Sequence, residues 1–324
     1  MFDGIKLAII GGGKWGLNHV KTAHKLLGDN LIVVCDLSKS VEDKVKSISP
    51  NIKFCSNLEN VFNNKEINAV IIATPAETHY EISKMCLINN KHILTEKPLT
   101  LLSSEATNLI EIAEKYNKKI MVGHVLLFHP AIVKLKNMIE DGFIGNIQYI
   151  YSNRLNLGTI RKEENILWSF APHDVSIIQY LIGDKPVSVY AEGAAFLQDN
   201  IEDTTLTFLK YKNNISAHIF VSWLHPFKEQ RLVVIGDKGM IVFEDSLKED
   251  KLKFYKKGFN VVGDSIEKFE SEYEVVMFDN KQALEEEQNH FYSAIINDTV
   301  PKTDGYHAKE VLEILEMAQT NLNL

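Results

Sequence analysis

Over the first third of the chain, short apolar runs alternate with amphipathic stretches. Residues 6–10, 31–35, 69–73, 92–95 and 119–122 read as strands buried on both faces. After the first run, Leu17, Val20, Leu26 and Leu27 recur at helical spacing and stop at Gly28, and helical periodicity returns near 40–48, 77–89 and 104–117. Ser40 ahead of Asp43, and Ser103 or Ser104 ahead of Glu105, predict helix starts. This alternation predicts a doubly wound parallel sheet.

After Gly123 the pattern changes. A helix near 130–141, a strand at 147–151 and a helix near 172–182 are followed by alternating runs at 187–192, 203–211, 215–223, 230–236, 240–243 and 252–255. Turn residues such as Asn213-Asn214 and Asp237-Lys238-Gly239 separate them, which predicts one large, open, mostly antiparallel sheet. Helices near 281–297 and 306–322 close the chain, the last with Val311, Leu312, Leu315 and Ala318 on one stripe. The fold class is α/β, divided into residues 1–123 and residues 124–324, with the final helix free to pack back on the first domain.

With 324 residues, 45% of them hydrophobic, the chain can build about two cored domains. A net charge of −8 argues against a nucleic-acid footprint. No run approaches a membrane span and no cationic segment leads into an apolar one, so the expectation is a cytoplasmic protein. Cys35, Cys55 and Cys86 suit packed, reduced thiols. The histidines are scattered and Cys-x-x-Cys is absent, so no metal is expected, and Glu285-Glu286-Glu287 reads as a solvated helix face.

The first strand runs into Gly11-Gly12-Gly13-Lys14-Trp15-Gly16 and then a helix. In this Gly-x-Gly-x-x-Gly turn, Gly11 permits the tight bend, Gly13 lets a pyrophosphate approach the backbone, and Gly16 lets helix and strand lie close. The second strand ends at Asp36, whose carboxylate can accept from both ribose hydroxyls, so the cofactor expected is NAD. An acid there can also serve as a helix cap or a surface charge. Lys14 and Trp15 join the cofactor candidates, and residues 1–123 are read as a Rossmann domain.

Thr95-Glu96-Lys97-Pro98-Leu99 follows at the carboxyl end of a predicted strand, where open α/β sheets place ligand groups. Together with Thr74-Pro75 and His79 after the third strand and the β-rich second half, Glu96-Lys97-Pro98 resembles the glucose-fructose oxidoreductase, inositol dehydrogenase and rhizopine-catabolism family over essentially the whole chain. The resemblance implies a second domain that binds substrate on one face of its sheet and pairs subunits through the other, as a homodimer or homotetramer. It adds Thr74, Pro75, His79, Glu96 and Lys97 to the cofactor site and makes Lys97 catalytic. Ser169-Phe170-Ala171-Pro172-His173-Asp174 aligns with the family's Asp-x-Gly-x-His: His173 falls on the histidine, but Ser169 stands where the Asp would be. Asp174 points about 100° away on a straight helix, which suits capping or packing better than replacement.

The polar stretch from Arg154 through Arg161 to Trp168 leads into the His173 helix. Guanidinium groups suit a carboxylate or diphosphate and an indole can stack on a sugar or base, although a surface ion pair with Glu163 or Glu164 and a core tryptophan are equally open readings. His124, Arg154, Arg161, Trp168, Ser169, His173 and Lys97 are therefore the substrate candidates, while His129 is read as structural. Similarity to sugar-nucleotide members of surface polysaccharide or glycolipid pathways implies NAD-dependent oxidation of a ring hydroxyl, at C3 by preference, of a UDP-N-acetylhexosamine or similar hexose. A keto-sugar reductase, a free cyclitol or sugar dehydrogenase, and a noncatalytic NAD-binding sensor are the alternatives.

Overall fold

The computed structural model describes residues 2–322. Six strands, β1 (Leu7–Ile10), β2 (Leu31–Cys35), β3 (Lys53–Cys55), β4 (Ala69–Ile72), β5 (His92–Glu96) and β6 (Ile120–Gly123), form a wholly parallel sheet in the order β3-β2-β1-β4-β5-β6. The helices α1 (Lys14–Leu27), α2 (Ser40–Ile48), α3 (Glu59–Phe62), α4 (His79–Ile88) and α5 (Ser103–Lys115) supply the crossovers. Every residue of β1 and β4 is buried, as continuous apolar runs require in a sheet covered on both faces. The edge strand β3 and the short α3 were not predicted, because an exposed lysine and two half-buried residues leave no apolar run to read. Gly28 ends α1 at φ 57°, as expected. The expected serine caps are absent: Lys39 and Leu102 occupy the cap positions of α2 and α5 and give no side-chain hydrogen bond.

The second half holds α6 (Pro130–Glu140), β7 (Ile147–Leu157), α7 (Ile166–Ile182), β8 (Ser188–Ala194), β9 (Thr204–Lys210), β10 (Ser216–Ser222), β11 (Leu224–Gly236), β12 (Met240–Glu244), β13 (Leu252–Tyr255), a hairpin of β14 (Gly258–Val262) with β15 (Ser265–Phe269), and β16 (Tyr273–Val275). Eight of these strands make one sheet in the order β16-β13-β12-β11-β7-β10-β9-β8, antiparallel except between β7 and β10. The core of this half includes Ile150, Ile178, Leu181, Ile219, Val221, Trp223 and Val234. The strand predicted at 147–151 runs on to Leu157, so Arg154 lies on that strand. Helix α7 starts at Ile166, earlier than the predicted 172, because Asn165 caps the Trp168 N–H and Pro172 falls inside the helix.

The last helices are α8 (Ala283–Ile296) and α9 (Gly305–Leu322). The chain divides into a first unit, residues 1–128 with 282–312, and a second, residues 129–281 with 313–324. The expected division at 123/124 thus differs at residues 124–128 and 282–304, while the start of the final helix does group with the first unit, as the expectation allowed. Within the first unit Phe291 and Tyr292 are fully buried, Tyr292 stacks edge-on against Phe2, and Thr303 donates to the Val122 carbonyl. These apolar and polar partners hold the segment to the parallel sheet. Among the described residues no helix is long and apolar enough to cross a membrane.

Candidate functional site

The glycine turn sits where β1 meets α1. Gly11 has φ +93°, a backbone region open to glycine, and a Cβ there would lie 2.5 Å from the Ala73 carbonyl. A Cβ on Gly16 would come within 2.1 Å of the Gly11 carbonyl, so helix and strand meet only without a side chain. A Cβ on Gly13 would meet nothing within 4 Å, and as N-cap of α1 it offers no side chain to the helix N–H groups. Those donors and the positive helix end suit a pyrophosphate.

Asp36, just past β2, accepts from the Gly12 N–H through Oδ2 at 2.6 Å and from the Ser38 N–H through Oδ1 at 2.7 Å. Each oxygen keeps a lone pair for a ribose hydroxyl. Open space over Gly13 and an anchored acid 23 residues beyond it (36 − 13) fit the adenosine and diphosphate of NAD.

At the end of β5, Glu96 accepts from the indole N–H of the half-exposed Trp15 at 2.5 Å, lies 2.7 Å from His19 Nε2 and accepts from the Lys97 N–H at 3.3 Å. Burial works to raise its pKa, but the His19 and Trp15 hydrogen bonds and the Lys97 charge hold the carboxyl below its usual value. Gly123 leaves room for this carboxyl, since a Cβ there would stand 3.0 Å from its atoms. The Lys97–Pro98 peptide is cis. Burial, then the His307 ring and the Lys97 charge, keeps His124 well below the ordinary histidine range, and His124 meets His307 edge-on at 5.5 Å.

Two first-unit residues, the cofactor candidate His79 and Glu287, are placed differently from expectation. His79 is buried, its ring nitrogens 2.7 Å from the Pro98 carbonyl and 2.9 Å from that of Thr74, so it ties the loop after β4 to the loop after β5. The Thr74 hydroxyl accepts from Thr78. Glu287 is not on a solvated face: it is completely buried, because α8 packs against α1. Sequence reasoning also passed over His19, Gln288 and His307. The available signal was a histidine on the buried stripe of α1, beside Gly16, Val20 and Ala23.

In the second unit Arg154 and Asp174 form a bidentate ion pair, Nε to Oδ2 at 2.7 Å and Nη2 to Oδ1 at 3.1 Å, and the Ser152 hydroxyl donates to the same carboxylate at 2.5 Å. Positions 152 and 154 share a face of β7 by strand alternation, and that face carries α7. Arg154 is thus committed to Asp174 rather than to Glu163 or Glu164, and Asp174 is an ion-pair partner in mid-helix rather than a cap. Trp168 donates its indole N–H to Gln319 at 3.0 Å. His173 is half-buried on α7, one turn after the buried Ser169, and Arg161 is exposed in the loop before it. His129 caps α6 by accepting the Ala131 N–H, in the structural role expected.

Residues 5–124 match the family described as "Oxidoreductase family, NAD-binding Rossmann fold", and residues 132–242 match the "GFO/IDH/MocA C-terminal domain". Among similar proteins, the scyllo-inositol 2-dehydrogenase (NAD(+)) of Bacillus subtilis is 26% identical, covering 98% of this chain and 93% of its own. The inositol 2-dehydrogenase of Salmonella typhimurium is 24% identical over 73% of each chain. The UDP-N-acetylglucosamine 3-dehydrogenase of Acidithiobacillus ferrooxidans superposes with a TM-score of 0.83 over 98% of this chain and 97% of its own, at 23% identity, a likeness of fold.

Proposed function

Because this chain belongs to the Gfo/Idh/MocA oxidoreductase family and is an NAD-dependent dehydrogenase, we propose that it oxidises a ring hydroxyl, C3 by preference, of a nucleotide-linked hexose such as a UDP-N-acetylhexosamine. The observation that carries this reading is the exposed Arg161-Lys162 pair in the loop leading into α7. Two cations on the approach to His173 suit a diphosphate, whereas an uncharged cyclitol has no use for them. Arg154, tied to Asp174, contributes no free guanidinium to that count.

In this reading NAD supplies the hydride acceptor when bound. Glycines 11, 13 and 16 with Lys14, Trp15, Asp36, Thr74, Pro75, Glu96 and Lys97 form its cradle, with His79 bracing the loops from behind. His173 takes the hydroxyl proton, and the Lys97 ammonium stabilises the alkoxide character that develops. Ser169, Trp168, His124 and Arg161 border the sugar.

The open face of the second unit's sheet is the candidate subunit interface. It carries Tyr151 stacked on His218 at 5.4 Å, with Tyr190 and Leu206 exposed nearby on β8 and β9, and a second copy of the chain would cover it. Light scattering of the purified protein should give a dimer or tetramer.

A substrate panel followed at the nicotinamide absorbance, with cofactor first stripped from the protein, tests the reading. Turnover of the UDP-N-acetylhexosamine and none of inositol or free glucose is expected, with Arg161→Ala raising KM more than it lowers kcat. Efficient turnover of inositol, untouched by Arg161→Ala, replaces this substrate with a free cyclitol, the second reading, which the inositol dehydrogenase relatives favour.

A further inference from the structure

Behind the Lys97 peptide lies a polar cluster of which the proposed function uses only Glu96. Ligand atoms of His19, Glu96 and Glu287 lie within 4.8 Å of one another. Such a trio can hold a metal ion, or it can hold a proton.

The hydrogen bonds decide between them. The Gln288 amide nitrogen lies 3.2 Å from the His19 carbonyl, which can only accept, so that nitrogen is the donor and its second hydrogen faces His19 Nδ1 at 3.0 Å. In that orientation the Gln288 oxygen accepts from the Tyr292 hydroxyl at 2.9 Å. With Nδ1 accepting, the proton of His19 sits on Nε2 and is donated to Glu96. The imidazole lone pair a metal would need is therefore occupied, and Glu96 is a carboxylate supplied with donors from Trp15, His19 and the Lys97 backbone.

Glu287 has no such support. It is wholly buried and both its carboxyl oxygens lack a hydrogen-bond partner. A buried carboxylate without donors, beside a second carboxylate, is strongly disfavoured, and the group neutralises instead. We propose that Glu287 is held as a neutral carboxylic acid, a positioning residue that limits the charge behind Lys97 to the single negative charge of Glu96. The titratable groups around it are His19 from α1 and Glu96 from the end of β5; the Glu96 charge, after burial itself, pushes Glu287 well above the usual carboxylate range. An ionised Glu287 would set a second buried negative charge beside that of Glu96, which accepts from the Lys97 N–H. The inference rests on the first unit alone and holds for whichever alcohol is oxidised.

Infrared difference spectra and melting curves of the purified full-length protein test it. Wild type at neutral pH should show a protonated-carboxyl stretch that Glu287→Gln lacks. A raised folded-state value means that stability is full below the unfolded value and is lost as pH climbs toward the folded one, and Gln escapes that loss. Glu287→Gln should therefore melt with wild type near pH 4 and roughly 2–4 °C above it at pH 8. Should that variant not fold, Glu287→Met is read in the same way, and loss of the wild-type band on alkaline titration serves as well. Absence of the band, a neutral variant less stable than wild type at pH 8, or a stoichiometric metal ion present in wild type and lost on substitution would overturn the proposal.

Discussion

The two units build their sites by different means. In the first, backbone geometry places most of the functional atoms, by a positive φ at Gly11, the N-terminus of α1 and the carboxyl ends of β2 and β5, and only Glu96 is held by side chains, those of Trp15 and His19. In the second, side chains hold side chains, as Ser152 and Arg154 on β7 do with Asp174 on α7, and as Trp168 and Asn165 do with Gln319. A site of the first kind tolerates exchange of a single side chain, and one of the second kind propagates it.

Arg154→Ala tests that contrast most severely. It leaves the Asp174 carboxylate, 2% exposed, without its guanidinium. Breaking a buried ion pair from one side costs about 3–5 kcal/mol, so urea unfolding should show a large loss of stability, and Arg154→Lys, lacking the planar fork, should restore only part of it. A variant of wild-type stability with only a raised KM would return Arg154 to the substrate site.

Lys97→Met and His173→Ala come next. Each should lower kcat by at least about a hundredfold, the usual scale for a positioned acid–base or electrostatic group, while NAD still binds by fluorescence titration. Near-normal turnover in either variant would remove that residue from the chemistry.

The same contrast explains what was legible in the sequence. Glycine spacing, apolar runs and a strand-terminal acid are local signals, so the parallel sheet, the Gly11–Gly16 turn and Asp36 could all be read from short windows. Arg154 could be read as a cation but not as a committed one, because Asp174 meets it only once β7 and α7 pack. Glu287 was misread for a related reason: three glutamates in a row look solvated, and nothing local says that α8 turns the third toward α1. His79 had the right neighbourhood and the wrong role, since the carbonyls it bridges come from two different loops.

Acid should expose a milder difference. His92 and His307, both in the first unit, are held down to about 4, chiefly by burial. The unfolded chain takes up protons at its ordinary value near 6.5 while the folded one does not, so this stability is present above about pH 6.5 and is lost as pH falls toward 4. His307→Gln should lose less stability than wild type between pH 7 and pH 5, measured by urea midpoint. An identical loss in both proteins would show that His307 does not contribute to the acid response.

The smallest effect should come from Asp36→Ser, and it tests the backbone-built site most directly. Asp36 is anchored by two backbone N–H groups, and the residues that follow, the exposed Leu37 and Ser38, bring no arginine to a 2′-phosphate. The carboxylate should therefore set NAD above NADP by repulsion as well as by its bonds to the ribose. Serine removes that repulsion but cannot keep both N–H partners, so NAD should weaken while NADP gains, narrowing the preference by about tenfold or more. Because the close approaches of Gly11 and Gly16 to the Ala73 and Gly11 carbonyls persist when the Gly12 N–H loses its Asp36 partner, the melting temperature should stay close to that of wild type. Equal NAD and NADP affinities in the wild-type protein would remove Asp36 as the selector, and a variant that unfolds would show that this turn, like the Arg154 pair, depends on one side chain.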